Sequence, residues 1–360
     1  MRTEIDRTSF SQRIFAQLHS KPLVLNLLQQ VIPELQLHGI LLPKELIAEL
    51  LDKAYMIGVD GCASSSSDWA MTNALYAAAM RHNTARGSLG GLSPIIWSYF
   101  KNAFAVFPEL IIQAPELRAC EALLAMAVFM LGTADARVTS QLTTAAAQLS
   151  HSLGLHRQCY YHSLGDVEAE HCRRVFWMTY TLNAEVTHKN GLPSIFQNQE
   201  ISLELSSGSS AGEKIPGYYR KLTEIAVIQL RIHNLLPADK LFKNMDGKLL
   251  EDVRSTHKEL QLWKKSLPQH LQEPNEISDE DPDIAIALLH FKYYSCAAKF
   301  HVGISRIVVF ECPSPGDDLT RRSNQSFSST KMARDMAAST ARGIIGLLSH
   351  LPLQPFSQVW

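Results

Sequence analysis

Apolar residues return every three to four positions through nearly every long segment of this chain, and that spacing dictates helices rather than strands. The clearest case is APELRACEALLAMAVFMLG, from Ala114 to Gly132, with Pro115 and Glu116 in a first-turn position and Gly132 as its stop. It is apolar nearly all round, so it has to be buried. A partner helix runs from about Val138 to Leu153 and ends at Gly154, which makes a helical hairpin. Arg157 and the polar QCYYH then lead out to solvent. Asp166 to Lys189 reads as one long helix with Val175, Phe176, Met178, Thr179 and Leu182 on its apolar face, ended by Gly191-Leu192-Pro193.

The same period predicts helices over Leu23 to Leu37, over PKELIAELLDKAY with Pro43 in its first turn, and over Trp69 to Arg81 behind an Asp68 cap. A glycine-rich break from Gly87 to Pro94 precedes a helix through Tyr99, Phe100, Ala103 and Phe104 that stops at Phe107-Pro108. Further helices are expected at Tyr218 to Leu235, Leu241 to Leu267, Asp283 to Phe310 and Thr330 to Leu348. Gly58 to Asp68, Glu273 to Asp283 and Pro313 to Ser329 read as loops or connectors. ISLEL, Ile201 to Leu205, alternates as a strand does but stands alone, and is read as extended coil. With no run of βα units and no repeat of fixed length, the fold class is all-α, a multi-helix orthogonal bundle of packed helical hairpins.

Composition narrows the function. A chain of 360 residues, 46% hydrophobic and 19% charged, can bury a sizeable core. Lys+Arg 34 against Asp+Glu 35 leaves a net charge of -1, which removes the argument for general attraction to a phosphate backbone. The cysteines Cys62, Cys120, Cys159, Cys172, Cys296 and Cys312 are scattered, several within apolar helices, as reduced buried thiols are. MRTEIDRTSFSQRIF has no uninterrupted apolar stretch, so no secretory signal is read there. The apolar run Ala122 to Ala134 falls short of the roughly 20 residues a bilayer crossing needs and is read as a buried helix.

Three pockets of chemistry compete with a purely structural reading. Gly208-Ser209-Ser210-Ala211-Gly212 fits the Gly-x-Ser-x-Gly elbow of hydrolases, but Pro216 and Gly217 interrupt the helix that must follow it, and a flexible loop is preferred to catalysis by Ser210. His151, His156, Cys159, His162, His171 and Cys172 are metal-ligand types, yet His151 and His156 are five apart and point to different faces of a helix; a surface loop with ordinary histidines is preferred to a zinc site. Met126, Phe129 and Met130 could line a pocket between helices, against which stands a plain packed core.

Three consecutive segments resemble the middle homology region of fungal zinc-cluster transcription factors, in that family's order and approximate spacing. Tyr99 to Ala136 is similar to its opening helix, Pro break and long apolar helix. Ala145 to Gln158, AAAQLSHSLGLHRQ, is similar to the paired helix with its Leu-Gly-Leu-His-Arg ending, here Gly154, Leu155, His156 and Arg157 after Leu153. Arg173 to Leu205 resembles the arginine-led Phe-Trp helix, here Arg173, Arg174, Phe176 and Trp177, followed by the Gly-x-Pro turn of Gly191 and Pro193. The family more often carries Asp where Asn183 stands and Arg where Leu192 stands. These residues read physically as scaffold, with Arg173 and Arg174 pairing to carbonyls or carboxylates in preference to contacting nucleic acid.

The resemblance divides the chain into an N-terminal helical segment, 1–41, the middle homology region, 42–205, and a C-terminal helical continuation, 206–360, whose apolar ending points to truncation. It implies a nuclear transcription regulator of a fungal metabolic or secondary-metabolite pathway, working as a regulatory domain through other transcription factor subunits or coregulators and a small-molecule effector. No membrane partner and no enzyme activity are expected. In the family DNA contact belongs to an N-terminal cluster of six cysteines with Cys-x-x-Cys pairs and two zinc ions; no such pair occurs here, so no cofactor is expected and DNA is reached indirectly or through a missing module. The alternatives are a truncated member whose zinc cluster lies upstream, and a helical small-molecule-binding protein or enzyme on the same scaffold.

Overall fold

The computed structural model describes residues 14–37, 39, 42, 44–56, 66–84, 88–131, 133, 135–197, 200–205, 217–236, 247–267, 284–309 and 335–347. Among them all regular structure is helical, as the period requires. The helices are α1 (Lys21–Leu37), α2 (Lys44–Met56), α3 (Ser66–Asn83), α4 (Leu89–Ala105), α5 (Phe107–Ile112), α6 (Leu117–Leu131), α7 (Ala136–Ser152), α8 (Asp166–Asn190), α9 (Tyr218–Leu235), α10 (Gly247–Lys265), α11 (Ile284–Val309) and α12 (335–347), with a short 3-10 helix, Gln158–Ser163, before α8.

The chain winds as a succession of neighbours. Helix α3 packs on α1, α4 and α6; α6 pairs with α7, α7 with α8, α8 with α9, and α9 with both α10 and α11. Composition explains the centre. Ala70, Ala74, Ala77, Ala78 and Ala79 on α3 are buried and small enough to let α4 and α6 approach closely, while Ala122 to Met130 of α6 are buried on every side. Asp135 caps α7, its carboxylate accepting from the amides of Arg137 (3.1 Å) and Val138 (3.3 Å). Glycine closes two helices: Gly154 after α7 (φ 78°) and Gly191 after α8 (φ 68°). At the first, the Gly154 and Leu155 amides donate to the carbonyls of His151 (2.9 Å) and Ser150 (3.0 Å), the paired bonds of a Schellman ending.

Three local expectations are corrected. Helix α4 begins at Leu89, so Pro94 lies inside it rather than in a break before it. Proline's fixed φ suits a helix, and at the sixth position it forfeits one intrahelical bond, a cost outweighed by packing of Ile96, Tyr99, Phe100 and Ala103 into the core. Asp68 is the third residue of α3 rather than its cap; its carboxylate meets Arg118 at 3.2 Å. The QCYYH stretch reaches solvent at Cys159 and His162 but coils into the 3-10 helix with Tyr161 buried, its hydroxyl donating to the Leu155 carbonyl at 2.7 Å. Ala122 to Met130 is buried, as expected, and among the described residues the stretch long and apolar enough to cross a membrane, at mean hydropathy 1.2, is Gly91–Ile112. It is broken at Val106 between α4 and α5 and buries one face against α3.

Asn102, fully buried on α4, ties residues 14–20 to the bundle. Its Oδ1 accepts from the Phe15 amide (2.7 Å), and its Nδ2 donates to the Ala16 carbonyl (2.6 Å) and to Asn73 Oδ1 (2.9 Å). Replacing Asn102 by leucine strands these groups, so the urea midpoint should fall by the equivalent of about 2–3 kcal/mol. An unchanged midpoint would mean that the segment docks by apolar contact alone.

Candidate functional site

A cavity of about 700 Å³ lies between α8, α9, α11 and α12. Its walls follow from helical spacing. Helix α8 contributes Met178, Thr181, Leu182, Glu185, His188 and Lys189; α9 contributes Tyr218, Leu222 and Gln229; α11 contributes Leu288, Phe291, Lys292, Ser295, Ala298 and Lys299. The size is within the range of pockets that hold drug-sized ligands, roughly 300–1,000 Å³.

Charged groups cluster along one side. The Glu185 carboxylate accepts from Lys189 Nζ at 2.7 Å and from Lys292 Nζ. Burial pushes its carboxyl up, but the two ammoniums and their hydrogen bonds outweigh burial and hold it well below the usual carboxylate range. Lys299 Nζ donates to the His188 carbonyl and lies 3.5 Å from His233 Nδ1, both neutral acceptors, and burial lowers its pKa. His188 is 3% exposed, and neither ring nitrogen completes a hydrogen bond of good geometry, although the Ser295 and Gln229 backbone lies beside it. Burial first, then Lys299, pushes its pKa down to about 4. The buried Oε1 of Gln229 likewise has no hydrogen-bond partner.

Most of the residues singled out from the sequence sit elsewhere. Phe176, wholly buried on α8, meets Trp177 and Phe196 edge-on at 5.1 and 5.7 Å. Trp177 Nε1 donates to the Glu204 carbonyl at 2.9 Å and so fastens the extended segment 200–205, whose Ser202 amide donates to the His156 carbonyl at 3.1 Å. Arg173 donates to Glu170 at 2.7 Å and lies over the Tyr161 ring, while Arg174 lies over Tyr219. Arg157 Nε donates to His156 Nε2 at 3.0 Å, and Leu155 is fully buried. Of that set, Gly191 lines the cavity, and Pro193 follows it in exposed coil.

The histidines and cysteines do not converge: His171 pairs with Glu121 at 2.9 Å, His151 faces His156 and Phe196, Cys172 is buried and Cys159 exposed. Among the described residues no three His, Cys, Asp or Glu side chains gather as a metal site. Met126, Phe129 and Met130 are core; Phe129 stacks on Phe100 at 4.6 Å, and none of the three lines the cavity. Gly208 to Gly212, with Ser210, lies outside the described residues, as do Cys62 and Cys312; Ile201 to Leu205 before it is coil.

Sequence reasoning missed Glu185, His188, Lys292 and Lys299. A signal was present: Lys292, Ser295 and Lys299 fall at spacings of three and four, a polar stripe on a largely apolar helix.

Fold and cavity together define an all-helical domain with a ligand-sized amphipathic interior. The family model described as the fungal specific transcription factor domain matches residues 54–265, and the chain belongs to that family. The chain is 29% identical over 285 residues to an ABC-transporter-regulating transcription factor of Aspergillus fumigatus, covering 73% of this chain and 31% of the relative. It is 27% identical over 383 residues to a protein of the same name from Aspergillus oryzae, covering 99% of this chain and 41% of the relative. The Fusaridione A cluster transcription factor of Fusarium heterosporum is 28% identical over 130 residues, 36% of this chain and 25% of that one. The chain thus spans less than half the length of these curated relatives. No solved structure matches it.

Proposed function

We propose that this chain is the regulatory domain of a nuclear fungal transcription regulator, controlling transporter or secondary-metabolite genes through protein contacts and an effector held in the α8–α9–α11 cavity. It carries out no catalysis, needs no metal of its own, and leaves DNA contact to another module. One observation carries the reading: 99% of the chain aligns with a protein named for regulating ABC transporters, and the family match spans residues 54–265. The cavity supports an effector, since its walls combine apolar side chains with a few converging polar groups. Leu92, Ile95, Phe104, Ile111 and Ile112, exposed along α4 and α5, support a protein contact, because grouped apolar side chains on a surface commonly mark one.

Deletion of the gene with transcript profiling tests the proposal. A coordinated change of at least about fourfold in transporter or biosynthetic transcripts is the expected result, the change in promoter occupancy that ~1 kcal/mol of binding energy produces. Transcripts unchanged as a set would overturn it.

A further inference from the structure

Among the described lining residues, the Glu185 carboxylate is engaged by Lys189 and Lys292, and no described lining carboxylate meets the third ammonium group, Lys299. Among the described residues, Lys299 Nζ reaches the His188 carbonyl and His233 Nδ1, both neutral acceptors. The carboxyl end of α8 offers about half a negative charge, too little to balance it. The buried Gln229 Oε1 has no hydrogen-bond partner among the described residues, and the His188 ring, 3% exposed, has only the Ser295 and Gln229 backbone beside it, at poor geometry. A buried polar group without a partner is costly, and a bound ligand is one way such a group is satisfied.

We infer that the cavity takes an organic anion, a carboxylate or sulfonate on an apolar body, with its anionic head at Lys299 and its body among Leu182, Leu222, Leu288 and Phe291. The inference rests on the effector-cavity reading above and adds the charge of the effector to it. An anion gives Lys299 a charged acceptor in place of neutral ones, and a charge-assisted hydrogen bond in a partly dry site is stronger than a neutral one. A cationic ligand would face the Lys299 ammonium, and the Glu185 carboxylate is already held by two lysines.

The test uses three probes sharing one ring system: 2-naphthoate, 2-naphthylmethanol and 2-naphthylmethylammonium, titrated calorimetrically into the full chain. Naphthoate should bind at least about tenfold more tightly than the alcohol, with the ammonium weakest. Lys299→Met should cost naphthoate about tenfold and leave the alcohol within about twofold, while Lys299→Arg, which keeps the charge, should retain most of the affinity. Thermal melts of both variants show whether each is folded, and the wild-type ranking of the three probes stands without them. Equal binding of naphthoate and alcohol, or tighter binding of the ammonium, would overturn the anion assignment and leave the cavity reading standing. If none of the three binds, the effector cavity itself falls.

Discussion

Phe176→Ala should lower the unfolding free energy by about 3–5 kcal/mol, the usual cost of deleting a fully buried aromatic ring and leaving a cavity. Phe176 has no exposed surface, meets Trp177 and Phe196 edge-on, and belongs to one buried cluster with Ala147, Leu155, Tyr180 and Leu230, drawn from α7, α8, α9 and the connecting coil. The site cannot collapse easily, because its walls belong to separate rigid helices and Phe196 is already engaged edge-on with both Phe176 and His151. Set against a total stability of about 5–15 kcal/mol, a loss of this size removes between about a fifth and all of it. Phe176→Leu keeps most of the volume and should cost less than about 1.5 kcal/mol. Urea denaturation of the two variants checks both values; an alanine variant within 1 kcal/mol of wild type would mean that this ring is not part of a close-packed core.

The fold was legible wherever the apolar pattern was continuous. Helix α6 announces itself as an unbroken buried run between proline and glycine, α9 falls on Tyr218 to Leu235 as the period predicts, and the all-α class follows from the same spacing. Reading failed where one residue's local preference met a larger packing gain, as at Pro94, or where polar letters hid a buried aromatic, as at Tyr161. The cavity was harder, because its chemistry is assembled across distance. Glu185 and Lys292 are 107 positions apart, and Lys299 and His188 are 111 apart. Periodicity shows that a lysine on α11 shares a face with Ser295; it cannot show which helix that face will meet. Part of that meeting lies beyond the clearest resemblance, which ends at Leu205, and α11 lies beyond the family match, which ends at residue 265.

Mild acid should destabilise the protein, and His188 should account for the largest identifiable part of the loss. Its pKa falls from 6.5 to about 4 because burial and the neighbouring Lys299, with His233 beyond it, oppose a second positive charge. Between those values the unfolded chain binds a proton that the folded chain refuses, so stability is full above about pH 6.5 and drains as the pH falls towards 4. By pH 5 the loss from this residue amounts to about 2 kcal/mol, or on the order of 3 °C in melting temperature for a chain of 360 residues. His82, His151, His156, His233, His257 and His301 are all shifted the same way, burial first, and add to the fall. Glu185 acts in sequence rather than in parallel: its contribution is complete above about 4.5 and is lost only as the pH drops further, towards its depressed folded value. Melting curves at pH 7.5 and 5.0 for wild type and His188→Gln separate the contributions. The variant starts from its own baseline, so the quantity compared is the drop between the two pH values, which should be smaller in the variant. Equal drops would place the titration on other histidines, and no drop in wild type would mean that the His188 ring gains a proton as freely when folded as when unfolded, which a ring 3% exposed beside Lys299 does not allow.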